Sequence, residues 1–258
     1  LTITAETKEQ VATLFANNTM QGEGTVKIAG NSGNNTTGNT AFEISLNEST
    51  NHTSSVQTNY DFSGAIAING RGYSYTAGEE LNIGSETQKG SISVKKDLRL
   101  ESKAHVNVTQ NGELTVGGAL ILGHEQGGNP GYLNIDGGNV KLNSLSIQHT
   151  GDANELNLNS GTLTFTKEGQ VVTGGSATDS TSVNLNGGTL KADSVSWDLN
   201  HKATIGNDAV VKVDASQGKT ATLSGALSGS GTIHATGEGT VNLSGNMENF
   251  SGSIAATQ

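Results

Sequence analysis

The chain has 258 residues, of which 36 are Gly, one is Pro and none is Cys, and only 4% are aromatic. Its apolar share of 32% lies below the roughly 45–50% of average globular proteins, which excludes a thick core rich in aromatic residues. A net charge of −10 with only 14 Lys and Arg argues against nucleic acid as a partner, and no apolar run is long enough for a transmembrane helix.

Residues 1–60 are predicted to form an irregular N-terminal cap, or the first turns of the fold with polar inserts. Asn31–Thr40 is a low-complexity run of Asn, Thr, Ser and Gly. Lys8–Ala16 is predicted to form one short helix. This first region differs from residues 61–258, where a regular strand pattern takes over.

Aromatic residues concentrate at the boundary between these two regions. Tyr60, Tyr73 and Tyr75 lie close together in sequence, with Arg71 among them. Because Tyr and Arg are enriched at binding surfaces, these four residues are candidate binding residues. The alternative is a local hydrophobic plug beneath the cap, with Phe62 inside.

Three segments of the middle region repeat one pattern: an apolar–Asn–apolar strand, an Asn/Asp–small–Gly turn and a second alternating strand. They are Tyr132–Leu142, Glu155–Phe165 and Ser182–Ala192, with equivalent residues Leu133, Leu156 and Val183 spaced by 23 and 27 residues. Self-similarity at this spacing is typical of a solenoid. The ordered alternation of Leu, Val and Ile also argues against a disordered chain.

The predicted fold is therefore all-β: a single-stranded parallel β-helix in which each strand pairs with its equivalent about 4.8 Å along the axis. A sandwich is disfavoured because its strands are longer and its core is richer in aromatic residues. At about 20–25 residues a turn, the chain predicts roughly ten to twelve turns. Asn side chains in register are predicted to form amide ladders, and Trp197 is predicted to be partly buried in the core.

The loop His124–Gly131 contains the single Pro and places His124 beside Glu125. These two residues are candidates for a binding, catalytic or metal-binding role, against the alternative of a solvated loop. No helical metal-binding motif and no repeated calcium nonapeptide is found, so no metal or cofactor is expected. This loop, Asn31–Asn59 and Lys167–Thr181 are the inserts predicted to provide specificity.

Candidate catalytic carboxylates are scattered along the chain. Four of them lie close in sequence but at different phases of the strand alternation: Asp193, Asp198, Asp208 and Asp214. Hydrolysis of a glycan requires two carboxyl groups that converge on one bond, and stacked turns can unite distant residues. A glycan-cleaving β-helix enzyme is therefore an alternative to the main functional hypothesis.

The C-terminal region carries the most specific motif. Gly-Ser-Gly-Thr-Ile opens Gly229–Asn246, which ends in Leu-Ser-Gly-Asn, and Asn-Phe-Ser-Gly-Ser-Ile follows at Asn249–Ile254. These segments resemble the autotransporter-associated β-strand repeat, and Met20–Asn31 with Asp61–Ile66 is similar to a second, interrupted copy. The resemblance implies a right-handed β-helical passenger domain of a type V secretion system, with a membrane barrel following Gln258.

From the resemblance and the polar composition we predict a secreted or surface-displayed bacterial passenger, extracellular or on the cell surface. It would act as an adhesin or self-association scaffold through a rigid polar face, and not as an enzyme. Its partner would be a host glycan, a host protein or a second copy of the chain. A stalk that binds nothing and only spaces other domains is a third possibility.

Overall fold

The computed structural model describes residues 2–5, 19–28, 42–45, 53–70, 80–124, 127–175 and 178–257. All regular elements within these ranges are β-strands, which confirms the all-β prediction. The helix predicted over Lys8–Ala16 lies outside the described residues. Which hand the solenoid takes, and whether residues 1–60 form a separate cap, stay predictions.

The strands follow one another in short, regular succession along the chain. They are β1 (Thr2–Ala5), β2 (Thr19–Ile28), β3 (Phe42–Ser45), β4 (Thr53–Phe62), β5 (Ile66–Asn69), β6 (Glu80–Ile83), β7 (Gly90–Val94), β8 (Leu98–Glu101), β9 (Ala104–Thr109), β10 (Gly112–Leu122), β11 (Gly131–Ile147), β12 (Glu155–Phe165), β13 (Gly169–Gln170), β14 (Val172–Gly174), β15 (Ser182–Leu185), β16 (Thr189–Ala192), β17 (Trp197–Leu199), β18 (Ala203–Ile205), β19 (Val210–Ala215), β20 (Thr220–Leu223), β21 (Leu227–Gly229), β22 (Thr232–Thr236), β23 (Thr240–Leu243), β24 (Asn249–Phe250) and β25 (Ser253–Ala256).

Three strand segments make one turn of a parallel β-solenoid, and each pairs with its equivalent in the next turn. The ladder face contains β6, β9, the first parts of β11 and β12, β15, β18, β21 and β24. The second face contains β7, the first part of β10, the middle of β11, the end of β12, β16, β19, β22 and β25. The third face runs through β8, the ends of β10 and β11, and β14, and continues in the separate sheet of β13, β17, β20 and β23.

The register of the ladder face confirms the equivalence predicted from the repeats. Leu133 pairs with Leu156, and Leu156 pairs with Val183. Because side chains alternate along a strand, this pairing keeps every Leu, Val and Ile of these strands on the inner side. A one-residue slip would turn the whole set outward, so the register is fixed by the core.

The core is a narrow column of mostly aliphatic side chains that runs from Val56 to Ile233. Each such side chain contributes roughly 1.5–3 kcal/mol when it is fully buried. Trp197 lies completely inside, where its indole N–H donates to the Lys191 carbonyl oxygen at 2.9 Å. Its ring meets the Phe165 ring edge-on, with centroids 5.7 Å apart. Trp197 is thus a core residue, as predicted, and is more deeply buried than expected.

Glycine is required at corners where neighbouring turns approach closely. Gly161 has φ +82°, and a Cβ built there would lie 2.2 Å from the Gly138 carbonyl oxygen of the preceding turn. Gly229 has φ +97° and would place a Cβ 1.9 Å from the Ile205 carbonyl oxygen. Only a residue without a side chain permits both this φ and this approach.

On the second face β1, β2 and β4 stack before the eight strands from β7 to β25, and these eleven stacked strands define about ten turns, within the range of ten to twelve predicted. Later turns keep the expected length, since Leu133 pairs with Leu156. The turn from β2 to β4 is longer, because Thr19 pairs with Ser55, a separation of 36 residues. Long segments between paired strands use up chain without adding a turn.

Candidate binding surface

An amide ladder runs along the ladder face over five successive turns. It consists of Asn82, Asn107, Asn134, Asn157 and Asn184, which occupy equivalent positions in register. Each Nδ2 donates to the Oδ1 of the Asn in the preceding turn, at 2.8, 2.8, 2.8 and 2.7 Å. These bonds confirm the predicted ladder.

The ladder uses only part of the hydrogen-bonding capacity of its amides. A side-chain amide has two N–H donors and an oxygen with two lone pairs. Asn107 and Asn134 each donate one hydrogen bond to a ladder neighbour and accept one from the other neighbour. Asn157 spends its second N–H on the Glu155 carboxylate, at 2.9 Å. The partly buried amides along the ladder can therefore still bond to a partner outside it.

A second column lies beside the ladder on the same face. Glu80, His105, Tyr132, Glu155 and Ser182 pair in register, each two residues before an Asn of the ladder. The His105 and Tyr132 rings stack with centroids 4.2 Å apart and planes 12° from parallel. Because the two rings cover each other along the solenoid axis, they present edges to a ligand on this face.

Burial changes the ionisation of this stack. Burial lowers the pKa of His105 below its usual value, against the opposing effect of the Glu80 and Glu155 carboxylates. Burial also raises the pKa of Tyr132, and the carboxylates of Glu155 and Asp152 add to that rise. Both rings are thereby biased towards their neutral forms.

A third column begins two turns after the start of the ladder. Asn159 donates to the Asp136 carboxylate at 2.7 Å, and Asn186 donates to the Asn159 oxygen at 2.9 Å. Asp136, Asn159 and Asn186 are exposed. Together the three columns make a polar surface in which amide, carboxylate and imidazole groups are held at fixed spacing by the strands beneath.

The second face carries a groove of about 350 Å³ with charges of both signs. Lys141, Thr164 and Lys191 stand in one column along it. Lys191 pairs with Asp193 at 3.4 Å, and Glu113 lines the groove as well. Because both charges are present and largely exposed, this groove has no strong preference for one sign of ligand.

The loop after β10 is anchored to the next turn by a buried carboxylate. Asp152 accepts from the backbone N–H of Gly128 at 2.6 Å and of Asn129 at 3.4 Å. Asn154, also buried, accepts from Gly131 N–H at 3.0 Å and donates to Thr181 Oγ1 at 3.2 Å. Successive corner loops are therefore bonded to each other and form a continuous ridge.

A second buried carboxylate anchors the insert over 167–181. The two oxygens of Asp179 lie 3.2 and 3.1 Å from His201 Nε2, while His201 Nδ1 lies 3.0 Å from the Lys202 carbonyl oxygen. Lys202 Nζ lies 3.7 Å from Asp179 Oδ1 and donates to the Asp179 carbonyl oxygen. These contacts hold the insert to the following corner, so this cluster has a structural role.

Tyr60 is corrected from a binding residue to a core residue. Its side chain is only 1% exposed, it points inward beside Phe62, and it pairs with Ile92 of the next turn. Burial raises the pKa of Tyr60 to about 12. The alternation of β4 explains the error, because residues two apart face the same side and Phe62 is inward.

The other candidate residues are only partly described. Arg71, Tyr73, Tyr75 and Glu125 lie outside the described residues, so their binding role stays a prediction. His124 is half-buried at the start of its loop, where its carbonyl oxygen accepts from Gly127 N–H at 3.0 Å. It lies at the end of a third-face strand, whereas Tyr60 belongs to the core, so the structure does not bring these two together.

Two features were missed from the sequence. The His105–Tyr132 stack was within reach, because both residues open an apolar–Asn–apolar repeat and therefore share a register position. The contacts of Asp152 and Asp179 had no such signal, since they join irregular loops of different turns. Within the ranges that the structure describes, no three His, Asp or Glu residues are grouped to hold a metal ion.

No helix among the described residues is long and apolar enough to span a membrane. No family model matches the chain, and no curated protein or solved structure matches it either. The resemblance to autotransporter passengers therefore depends on sequence motifs, chiefly those over Met20–Asn31 with Asp61–Ile66 and over Gly229–Ile254.

Proposed function

We propose that the chain is a binding scaffold of an extracellular or surface-displayed bacterial protein, and that its contact surface is the ladder face. The observation that carries this proposal is the amide ladder, in which five Asn side chains stand in register with bonds of 2.7–2.8 Å. A surface of this kind offers preorganised hydrogen-bonding groups, which lowers the entropy cost of binding.

The C-terminal turns support a binding role for the ladder. The ladder position is occupied by Thr204 and then Ser228 in these turns, and the strands still pair in parallel. Stacking of turns therefore does not require Asn at this position. The five amides are more than the backbone needs, which favours a role in recognition.

The resemblance to autotransporter passengers supports the proposed location and the adhesive role. Passengers of that family are exported to the bacterial surface, and many of them are adhesins. A non-binding stalk and a glycan-cleaving enzyme are the competing hypotheses, and the test below separates both from a binding scaffold.

The test uses the whole chain against an array of immobilised glycans and extracellular-matrix proteins. The variant Asn134→Thr/Asn184→Thr replaces two ladder amides with the residue type that the same position carries at Thr204. The control Asn207→Ala/Asn242→Ala removes two exposed amides that lie off the ladder. We expect at least one ligand whose affinity falls tenfold or more in the ladder variant and less than twofold in the control.

Three results would contradict the proposal. If no molecule on the array binds the chain, a non-binding stalk is favoured. A ligand that both variants bind as tightly as the natural chain places the contact surface elsewhere. New reducing ends in the glycan incubations, lost on substitution of a single carboxylate, favour the enzyme. Circular dichroism of both variants confirms that the comparison is made between folded proteins.

A further inference from the structure

We infer that the ligand of the ladder face is an uncharged, hydroxyl-rich polysaccharide chain. This inference rests on the proposed function, since it names the ligand class of the same face. Three independent features of the face carry it: its charge, its hydrogen-bonding groups and its extent along the solenoid axis.

The charge of the ladder face disfavours anionic ligands. Its strand segments between Glu80 and Asn186 contain Glu80, Asp136 and Glu155 but no Lys or Arg. His105, the one base among them, is biased towards its neutral form by burial. A carboxylate or sulfate brought against this surface would lose water and meet like charge without a cation to pair with.

The hydrogen-bonding groups of the face match hydroxyl groups. A hydroxyl donates one hydrogen bond and accepts others, so it can donate to the carboxylates of Glu80 and Glu155 and accept from ladder N–H groups. A neutral hydroxyl also costs far less to remove from water than a charged group does. Vicinal hydroxyls of a sugar provide this combination repeatedly along a chain.

The shape of the face favours a polymer over a single sugar or a protein. Five amides at about 4.8 Å spacing extend over roughly 20 Å. The face offers an open polar strip, and the opening of about 350 Å³ beside it is lined by Asn82, Thr109 and Asp136. Stable protein interfaces need apolar anchors at their centre. Tyr132, the large aromatic residue on these columns, has one ring face covered by His105.

The test compares neutral polysaccharides with their own anionic derivatives. Dextran, mannan, cello-oligosaccharides and chito-oligosaccharides are each immobilised beside the carboxymethyl form of the same glycan, at physiological salt. We expect at least one neutral glycan to bind, with the Asn134→Thr/Asn184→Thr variant at least tenfold weaker. The carboxymethyl form of that glycan should bind the natural chain at least tenfold more weakly than the neutral glycan does.

Isosteric variants test the role of charge directly. Glu80→Gln/Asp136→Asn/Glu155→Gln removes three negative charges from the ladder face and keeps an acceptor oxygen for Asn157 and Asn159. The control Glu113→Gln/Asp193→Asn/Asp214→Asn makes the same change of net charge on the second face. We expect binding of the carboxymethyl form to rise at least fivefold in the first triple variant and less than twofold in the control.

The outcomes separate the two proposals. Ladder-dependent binding only to carboxymethyl glycans, or only to a matrix protein, overturns the inference and leaves the proposed function standing. If binding of the carboxymethyl form rises equally in both triple variants, the inference is also overturned. The net charge of the chain, and not the ladder face, would then determine the selectivity. If no ligand depends on the ladder, both proposals fail.

Discussion

The turns that carry the ladder and the C-terminal turns are built on one backbone pattern with different side-chain content. From Asn82 to Asn184, the ladder position holds amides joined by side-chain hydrogen bonds. In the next two turns it holds the hydroxyl residues Thr204 and Ser228, whose side-chain oxygens lie 3.1 Å apart, and Asn249 follows them. Parallel pairing continues unchanged through both regions.

The corners and the core differ between the two regions as well. Two corner loops of the turns that carry the ladder are fixed by the buried Asp152 and Asp179, whereas the corner between β20 and β21 has only three residues. Leu156 is 1% exposed, but Leu243 and Phe250 are only partly buried. An aliphatic core and glycine corners are therefore sufficient for stacking, and the ladder and anchored loops are additions specific to one region.

The largest expected effect comes from the core of the turns that carry the ladder. Leu156→Ala leaves a cavity between Leu133 and Val183, and we expect the free energy of unfolding to fall by about 2–5 kcal/mol. Leu243→Ala in the C-terminal turns should cost roughly 1–2 kcal/mol, because its side chain is only partly buried. Urea unfolding of both variants measures the difference, and equal losses would show that the core is uniform.

Substitution of corner glycines should lower the free energy of unfolding nearly as much as the core substitution does. The loss should be similar in both regions. Gly161→Ala and Gly229→Ala combine positive φ with a Cβ near 2 Å from a carbonyl oxygen, so we expect losses of about 2–3 kcal/mol. Gly218→Ala is the control, since it has φ +73° but no atom within 4 Å of the added Cβ. It should cost about 1 kcal/mol from backbone strain alone. A control as damaging as the other two would refute close approach as the cause.

The ladder itself should contribute a smaller, regional effect. Asn134→Ala removes the acceptor of the Asn157 N–H and the donor to the Asn107 oxygen, and we expect a loss of about 1–2 kcal/mol in thermal or urea unfolding. Thr204→Ala at the equivalent position should cost about 0.5 kcal/mol, because a single hydroxyl contact is lost. If the two variants were equally stable, the ladder would not stabilise its region.

Much of the fold could be predicted from the sequence because the repeats fix it locally. The apolar–Asn–apolar pattern determined the register of Leu133, Leu156 and Val183, and register in turn placed the Asn side chains in line. The length of individual turns could not be predicted in the same way. It depends on how much chain lies between paired strands, and an insert has no period to count.

The site was less predictable, for physical reasons that differ between residues. Tyr60 was predicted to be a binding residue, although strand alternation places it inside with Phe62. The local sequence was therefore sufficient to predict its burial, and the cluster of aromatic residues was misleading. Asp179 and His201 meet because two corners of neighbouring turns come together in space. Their separation in sequence has no pattern, since the loop between them is irregular. Contacts of this kind require the three-dimensional path of the chain.

The smallest expected effect concerns pH and the stack at the centre of the ladder face. Burial lowers the pKa of His105 in the folded chain, so the unfolded chain binds its proton more readily. Stability from this group is therefore fully present above the unfolded value of about 6.5 and is lost as pH falls through the folded pKa. NMR titration of the His105 ring measures that pKa directly.

Two substitutions of Tyr132 isolate burial as the cause. Tyr132→Ala uncovers the His105 ring, which stands 4.2 Å from it, and should raise the pKa of His105 towards its usual value. Tyr132→Phe keeps the stacked ring and should leave that pKa unchanged. A pKa that stays low in Tyr132→Ala would assign the shift to another source. A pKa restored only in Tyr132→Ala would assign the shift to burial of the His105 ring beneath Tyr132.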